Sequence, residues 1–69
     1  MERTSVVSSN IASIGYSEGD QILEVEFLKG GVYQYTGVPR HVYESFMGAG
    51  SKGEFFAANI KKNFSFYKV

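Results

Sequence analysis

The stretch Gln21-Ile22-Leu23-Glu24-Val25-Glu26-Phe27-Leu28-Lys29-Gly30-Gly31-Val32-Tyr33-Gln34-Tyr35-Thr36 decides the fold. From Gln21 to Leu28 it alternates, with Leu23, Val25 and Phe27 on one face and Glu24 and Glu26 on the other, the period of a half-buried strand. Lys29-Gly30-Gly31 breaks the alternation, and Val32 to Thr36 resumes it in β-branched and aromatic residues, so the two runs predict a hairpin. Loop length sets its register, and a slip of one residue would carry a whole strand to the opposite face. A three-residue loop, Lys29 to Gly31, pairs Leu28 with Val32, Phe27 with Tyr33 and Val25 with Tyr35, and places both tyrosines on the apolar face. A two-residue loop, Gly30-Gly31 or Lys29-Gly30, groups Tyr33 and Tyr35 with Glu24 and Glu26 instead. We favour the first, which keeps the apolar set together and suits a glycine in the left-handed region of a bulged turn. The tyrosines then belong mainly to the core, with their hydroxyls at its rim.

Upstream, Val6-Val7 and Ile11-Ala12-Ser13-Ile14 read as strand, interrupted by Ser8-Ser9-Asn10, which favours a turn or bulge. Ser17-Glu18-Gly19-Asp20 is a turn. Downstream the period changes. Pro39 suits the first helical position, Val42, Tyr43, Phe46 and Met47 form one apolar stripe, and Gly48-Ala49-Gly50 ends the helix. Ser51-Lys52-Gly53-Glu54 is a capping box for a second helix, in which Phe56, Ile60 and Phe64 recur every four residues with Phe55 beside them. The tail Ser65 to Val69 is apolar enough to pack on the sheet as a short strand. Strands first and helices after predict a small antiparallel sheet packed on one face by two consecutive helices, an α+β two-layer sandwich, with residues 1–69 as a single domain.

Composition narrows the function. With 43% apolar residues, five Tyr and six Phe, the chain has material for a core, and its composition argues against disorder. The absence of cysteine removes disulfides, thiolate metal sites and a cysteine nucleophile together. No basic segment followed by an apolar run opens the chain and no stretch approaches a membrane span, so we read it as soluble, unprocessed and cytoplasmic. The net charge of zero hides an asymmetry: residues 1–39 hold two basic against five acidic side chains, and residues 40–69 hold five basic against two acidic. An anionic partner would land on the second half, where the bland reading is a solvated helix face.

Catalysis has little to work with. A Ser-His-Asp set would have to bring His41 and Asp20 from a helix start and a turn onto a serine, with no nucleophile-elbow motif to help. Glu24 and Glu26 have the spacing of a carboxylate pair, but no further acidic ligand joins them and solvent-facing strand polarity is the simpler reading. Gly48 to Gly53 has the flavour of a phosphate loop, yet Lys52 follows Ser51 and a helix, not a strand, comes before it. What survives is a candidate anion site at Ser51, Lys52 and Gly53, set against a plain capped turn. Arg40, Lys52, Lys61, Lys62 and Lys68 interleave with Tyr33, Tyr35, Tyr43 and Tyr67, the ingredients for single-stranded nucleic acid, in a chain that also needs aromatics for its core.

The ordered set Val7-Ser8-Ser9-Asn10-Ile11, Ile14-Gly15-Tyr16, Leu23-Glu24-Val25-Glu26-Phe27, Tyr33-Gln34-Tyr35, Val38-Pro39, Val42-Tyr43, Ser51-Lys52-Gly53 and Phe55-Phe56 resembles the KTSC domain over nearly the whole chain. That family is named for its occurrence at the C-terminus of some lysyl-tRNA synthetases and also occurs as short stand-alone bacterial and phage proteins. The resemblance implies no established activity and points to RNA, with the family's Y-x-Y motif at Tyr33 and Tyr35. Ser17 stands where an acidic residue often follows the Gly-Tyr pair, and Ala57 where Asn is common, so either could weaken a polar contact. Together these readings give a non-enzymatic binding module without cofactor, metal or membrane partner. Its ligand would be tRNA or single-stranded RNA, on phosphate contacts from Arg40, Lys52, Lys61, Lys62 and Lys68. The alternative is a protein-interaction module, working through a sheet edge or an aromatic patch and including a homodimer.

Overall fold

The computed structural model describes residues 1–69. Five strands, β1 (Arg3–Ser5), β2 (Ile11–Ser17), β3 (Ile22–Phe27), β4 (Gly31–Thr36) and β5 (Ser65–Lys68), form one antiparallel sheet in chain order. Helices α1 (Arg40–Gly48) and α2 (Lys52–Asn59) fill the connection from β4 to β5. The expected α+β architecture is therefore present, and the tail is an edge strand. No helix is long and apolar enough to cross a membrane.

The hairpin face is as expected, but its register differs by two residues. Val25 lies opposite Tyr33 and Leu23 opposite Tyr35, so the loop is Leu28-Lys29-Gly30 and not Lys29-Gly30-Gly31. Gly31 opens β4 opposite Phe27 with φ +83°, a left-handed conformation that costs glycine least. A shift of two preserves side-chain direction, so Tyr33 and Tyr35 stay with Leu23, Val25 and Phe27. The first strand also lies elsewhere than expected: it is Arg3–Ser5, and Val7 is fully exposed in the connection. A bulge between Ile11 and Ser13 lets both Ile11 and Ile14 face the core.

That core comprises Ile11, Ile14, Leu23, Val25 and Tyr35 from the sheet against Val38, Phe46, Phe56 and Ile60. Pro39 is the N-cap of α1, one residue before the expected position, and Phe46 is the buried member of the predicted stripe. Tyr43 stacks on Tyr16 with ring centres 4.8 Å apart, and the Tyr16 hydroxyl donates to the Val38 carbonyl at 2.6 Å. Burial raises the Tyr16 pKa, with Glu18 adding to it, so the phenol stays protonated as a donor. At α2 the Ser51 hydroxyl accepts from Glu54 N at 3.2 Å, half of the expected capping box, without a return bond from the Glu54 carboxylate.

The opposite face of the sheet corrects the reading of Glu24 as solvent-facing. Glu24 is 6% exposed, and its carboxylate accepts from Arg3 and, at 2.6 Å, from Gln34 Nε2. Arg3 also donates to Ser13 Oγ at 2.9 Å, Ser13 donates to Glu26 at 2.8 Å, and Tyr67 donates to Gln34. A hydrogen-bonded row thus crosses the sheet from edge to edge. It passes over Gly15, which lies between Arg3 and Glu24 in the register. A Cβ there would sit 2.6 Å from the Glu2 carbonyl oxygen and 3.0 Å from Arg3 Cγ, so the missing side chain makes room for β1 and its arginine stem.

Candidate binding groove

The two helices leave the β4–β5 side of the sheet incompletely covered. Because α2 ends at Asn59 and the chain must still reach the sheet edge, an open groove of about 490 Å³ remains between α2 and β5. Tyr33 and Tyr35 form its floor, Phe56 and Ala57 one wall, Phe66 the other, and Lys61 and Lys62 its basic rim. Asn10, Phe27 and Tyr33 are shared with an adjoining depression lined by Leu28, Lys29 and Gly30.

Aromatic contacts hold the floor in place. Tyr35 meets Phe56 edge-on at 5.4 Å and lies tilted against Phe66 at 5.5 Å, while Tyr33 contacts Phe27 at 5.8 Å and Phe66 at 5.9 Å. Each such pair contributes about 0.5–1.5 kcal/mol beyond area burial. Phe66 nevertheless remains 55% exposed, because β5 is an edge strand and nothing packs on its outer side. Burial and the neighbouring Tyr33 push the Tyr35 pKa up, keeping its hydroxyl protonated.

The structure separates the sequence-predicted basic residues. Lys61 and Lys62 line the groove and make no ion pair; Lys68 shares the face of Tyr33, its stem passing over Gly31. Arg40 does not line it: its guanidinium bonds Glu44 at 2.9 Å and Glu18, and those carboxylates raise its pKa. Lys52 donates to the Ala49 carbonyl at 2.7 Å, and Gly53 lies beneath the Asn10 amide, where a Cβ would be 2.9 Å from Asn10 Oδ1. Ser51-Lys52-Gly53 thus caps α2, closes the end of α1 and seats the β1–β2 connection. The His41 side chain is exposed and makes no hydrogen bond, Asp20 accepts from Ser17 Oγ at 3.2 Å, and no three His, Cys, Asp or Glu side chains are grouped to hold a metal ion.

Sequence reasoning missed Phe66 and Asn10 as groove residues. A signal for the first exists: Phe66 and Tyr67 are adjacent in a strand, so a sheet covered on one face cannot bury both. Asn10 carries no such signal, since only the fold places the β1–β2 connection beside α2.

The KTSC domain model matches residues 7–64. The chain is 36% identical to an uncharacterised protein of Stutzerimonas stutzeri over 70 residues, covering 100% of this chain and 99% of that one. It is 41% identical over 61 residues to a lysine–tRNA ligase of Nostoc punctiforme, covering 88% of this chain but 11% of the ligase. The crystal structure of a KTSC domain protein from Yersinia pestis superimposes with a TM-score of 0.98 at 46% identity, covering 99% of this chain and 96% of that one. With the family model spanning residues 7–64 and a KTSC domain protein of known structure 46% identical over 99% of the chain, this protein belongs to the KTSC domain family.

Proposed function

We propose that this KTSC domain is a non-catalytic, cytoplasmic module that binds single-stranded RNA in the groove between α2 and β5. The observation that carries the reading is Phe66, a ring 55% exposed beside Tyr33 in a groove also lined by Lys61 and Lys62, which make no ion pair. Base-on-ring stacking contributes about 1–3 kcal/mol per base, and lysines along the rim track the phosphates. Similarity to a segment of a lysine–tRNA ligase supports an RNA context. A protein partner is the second reading, favoured by the unpaired outer edge of β5, where Tyr67 is 47% exposed.

Salt separates the two. In an amide-shift titration of labelled protein with tRNA and short single-stranded RNA, we expect shifts at Tyr33, Lys61, Lys62 and Phe66 that fade from low to physiological salt. The double variant Lys61→Ala, Lys62→Ala should flatten the plot of log affinity against log salt by about 1.4, from the ~0.7 per phosphate of single strands. No shifts at low salt would overturn the RNA reading. A salt-insensitive response to a protein partner along β5 would favour the second.

A further inference from the structure

Tyr35 is 4% exposed, the only tyrosine of the chain in the core, and lines the groove. Its hydroxyl has no hydrogen-bond partner within the chain, like those of the more exposed Tyr33 and Tyr43 and unlike those of Tyr16 and Tyr67, which donate to Val38 and Gln34. A buried tyrosine hydroxyl ordinarily finds a partner. No buried side-chain nitrogen or oxygen is left sealed and unsatisfied, so this hydroxyl keeps some access to solvent, and the groove is the one open space that its residue lines. The site is thus an aromatic slot lined by the hydroxyl-bearing rings of Tyr33 and Tyr35 and by the Asn10 amide, with Lys61 and Lys62 along it.

We infer that the slot takes one unstacked nucleobase, edge first, with the Tyr35 hydroxyl hydrogen-bonded to the base edge and the attached sugar-phosphate at Lys61 and Lys62. The inference rests on the nucleic-acid reading of the same groove and goes beyond it by assigning a base-reading residue. A base is the ligand that matches all three parts: a π-face for Phe66 and Tyr33, a polar edge for the hydroxyl, and a covalently attached anion for the lysines. An apolar peptide side chain would strip water from the Tyr35 hydroxyl and return no hydrogen bond. A phosphate at the floor would meet aromatic rings and no cation. A groove of about 490 Å³ falls in the range of small-ligand sites.

The test titrates the full chain with the four ribonucleoside 5′-monophosphates and with ribose 5-phosphate, and repeats both on Tyr35→Phe. That variant keeps the ring and breaks no hydrogen bond within the chain, so its unfolding temperature should stay within about 2 °C of the parent. The monophosphates should shift the amides of Tyr33, Tyr35 and Phe66 and bind more tightly than ribose 5-phosphate, with unequal affinities among the bases. Tyr35→Phe should weaken the tightest by about threefold to tenfold, the value of one neutral hydrogen bond. It should leave ribose 5-phosphate unchanged. Monophosphates no tighter than ribose 5-phosphate, or unchanged binding to Tyr35→Phe, would overturn the inference. If a single-stranded oligomer still shifts Lys61, Lys62 and Phe66 in that variant, the RNA groove survives and only the base-reading role falls; if no oligomer shifts them in the parent chain, both fall.

Discussion

On one face of the sheet Leu23, Val25 and Tyr35 lie against Phe46, Phe56 and Ile60; on the other, the same two strands present Glu24, Glu26 and Gln34 to Arg3 and Tyr67. The first face is held by burial, which is non-directional, and each fully buried Leu, Val or Phe contributes roughly 1.5–3 kcal/mol. The second is held by hydrogen bonds that connect β1, β3, β4 and β5 in sequence. Packing makes the domain stable, while the polar row attaches the edge strands in one register. The difference is measurable, because the two faces should respond to different perturbations.

The largest effect belongs to the packed face. Phe46 is fully buried against Phe55 and Phe56, so Phe46→Ala should cost about 3–5 kcal/mol, a large part of what a domain of this size has. Thermal unfolding followed by circular dichroism should show a transition displaced by about 12 °C or more, on the order of 4–8 °C per kcal/mol. A smaller displacement would mean that the core can collapse around the cavity.

Next comes the place where the polar row crosses the sheet. Gly15→Ala puts a methyl group 2.6 Å from the Glu2 carbonyl oxygen, and the cost expected of such overpacking is about 1–3 kcal/mol. The loss should be local: hydrogen exchange ought to accelerate at the β1–β2 amides while Leu23 and Val25 remain protected. Uniform acceleration would show that β1 is coupled to the core, and no change would show that Arg3 does not need the gap.

How much of this was legible follows from the same contrast. Alternation from Leu23 to Phe27 reveals the packed face, and the helical stripe at Val42 and Phe46 reveals what covers it, because both are periodic signals within a few residues. The hairpin register was not legible, since shifts of two keep every side chain on its face and the choice rests on the conformation of Gly31. Nor was the burial of Glu24. Its partner Arg3 lies 21 residues away, and the gap between them is the side chain that Gly15 lacks. Of the groove, Tyr33, Tyr35, Lys61 and Lys62 stand out as residue types, yet their meeting depends on where α2 stops and β5 pairs.

Acid should distinguish the faces further. The Gln34 hydrogen bond, opposed by burial and reinforced by Arg3, holds the Glu24 carboxyl below its ordinary range. A group with a lowered folded pKa stabilises the fold fully above its unfolded pKa of about 4.3 and loses that contribution as pH falls through the folded value. Glu24→Gln should therefore be less stable than the parent by about 1–2 kcal/mol at neutral pH, and the gap should narrow below about pH 4. Urea midpoints for both proteins across that range check it. A gap constant with pH would mean that the shape of the side chain matters there and its charge does not.

The smallest effect sharpens the comparison most. Tyr67 is 47% exposed, and its hydroxyl donates to Gln34 Oε1, which fixes the amide so that Nε2 faces Glu24 at 2.6 Å. Tyr67→Phe lets water replace that donor, so global stability should change by no more than about 0.5 kcal/mol. The amide then keeps only the Glu24 carboxylate to hold its nitrogen end and loses the donor that fixes its oxygen end, so its position is less constrained. Glu24 should lose part of the bond that lowers its pKa, and its acid transition should move up toward the ordinary value, read from its side-chain carboxyl carbon shift. Movement of that transition with little loss of stability would show that the polar row transmits from β5 to β3 through Gln34. A stationary transition would show that Gln34 is oriented by Glu24 alone and that the row ends at β4.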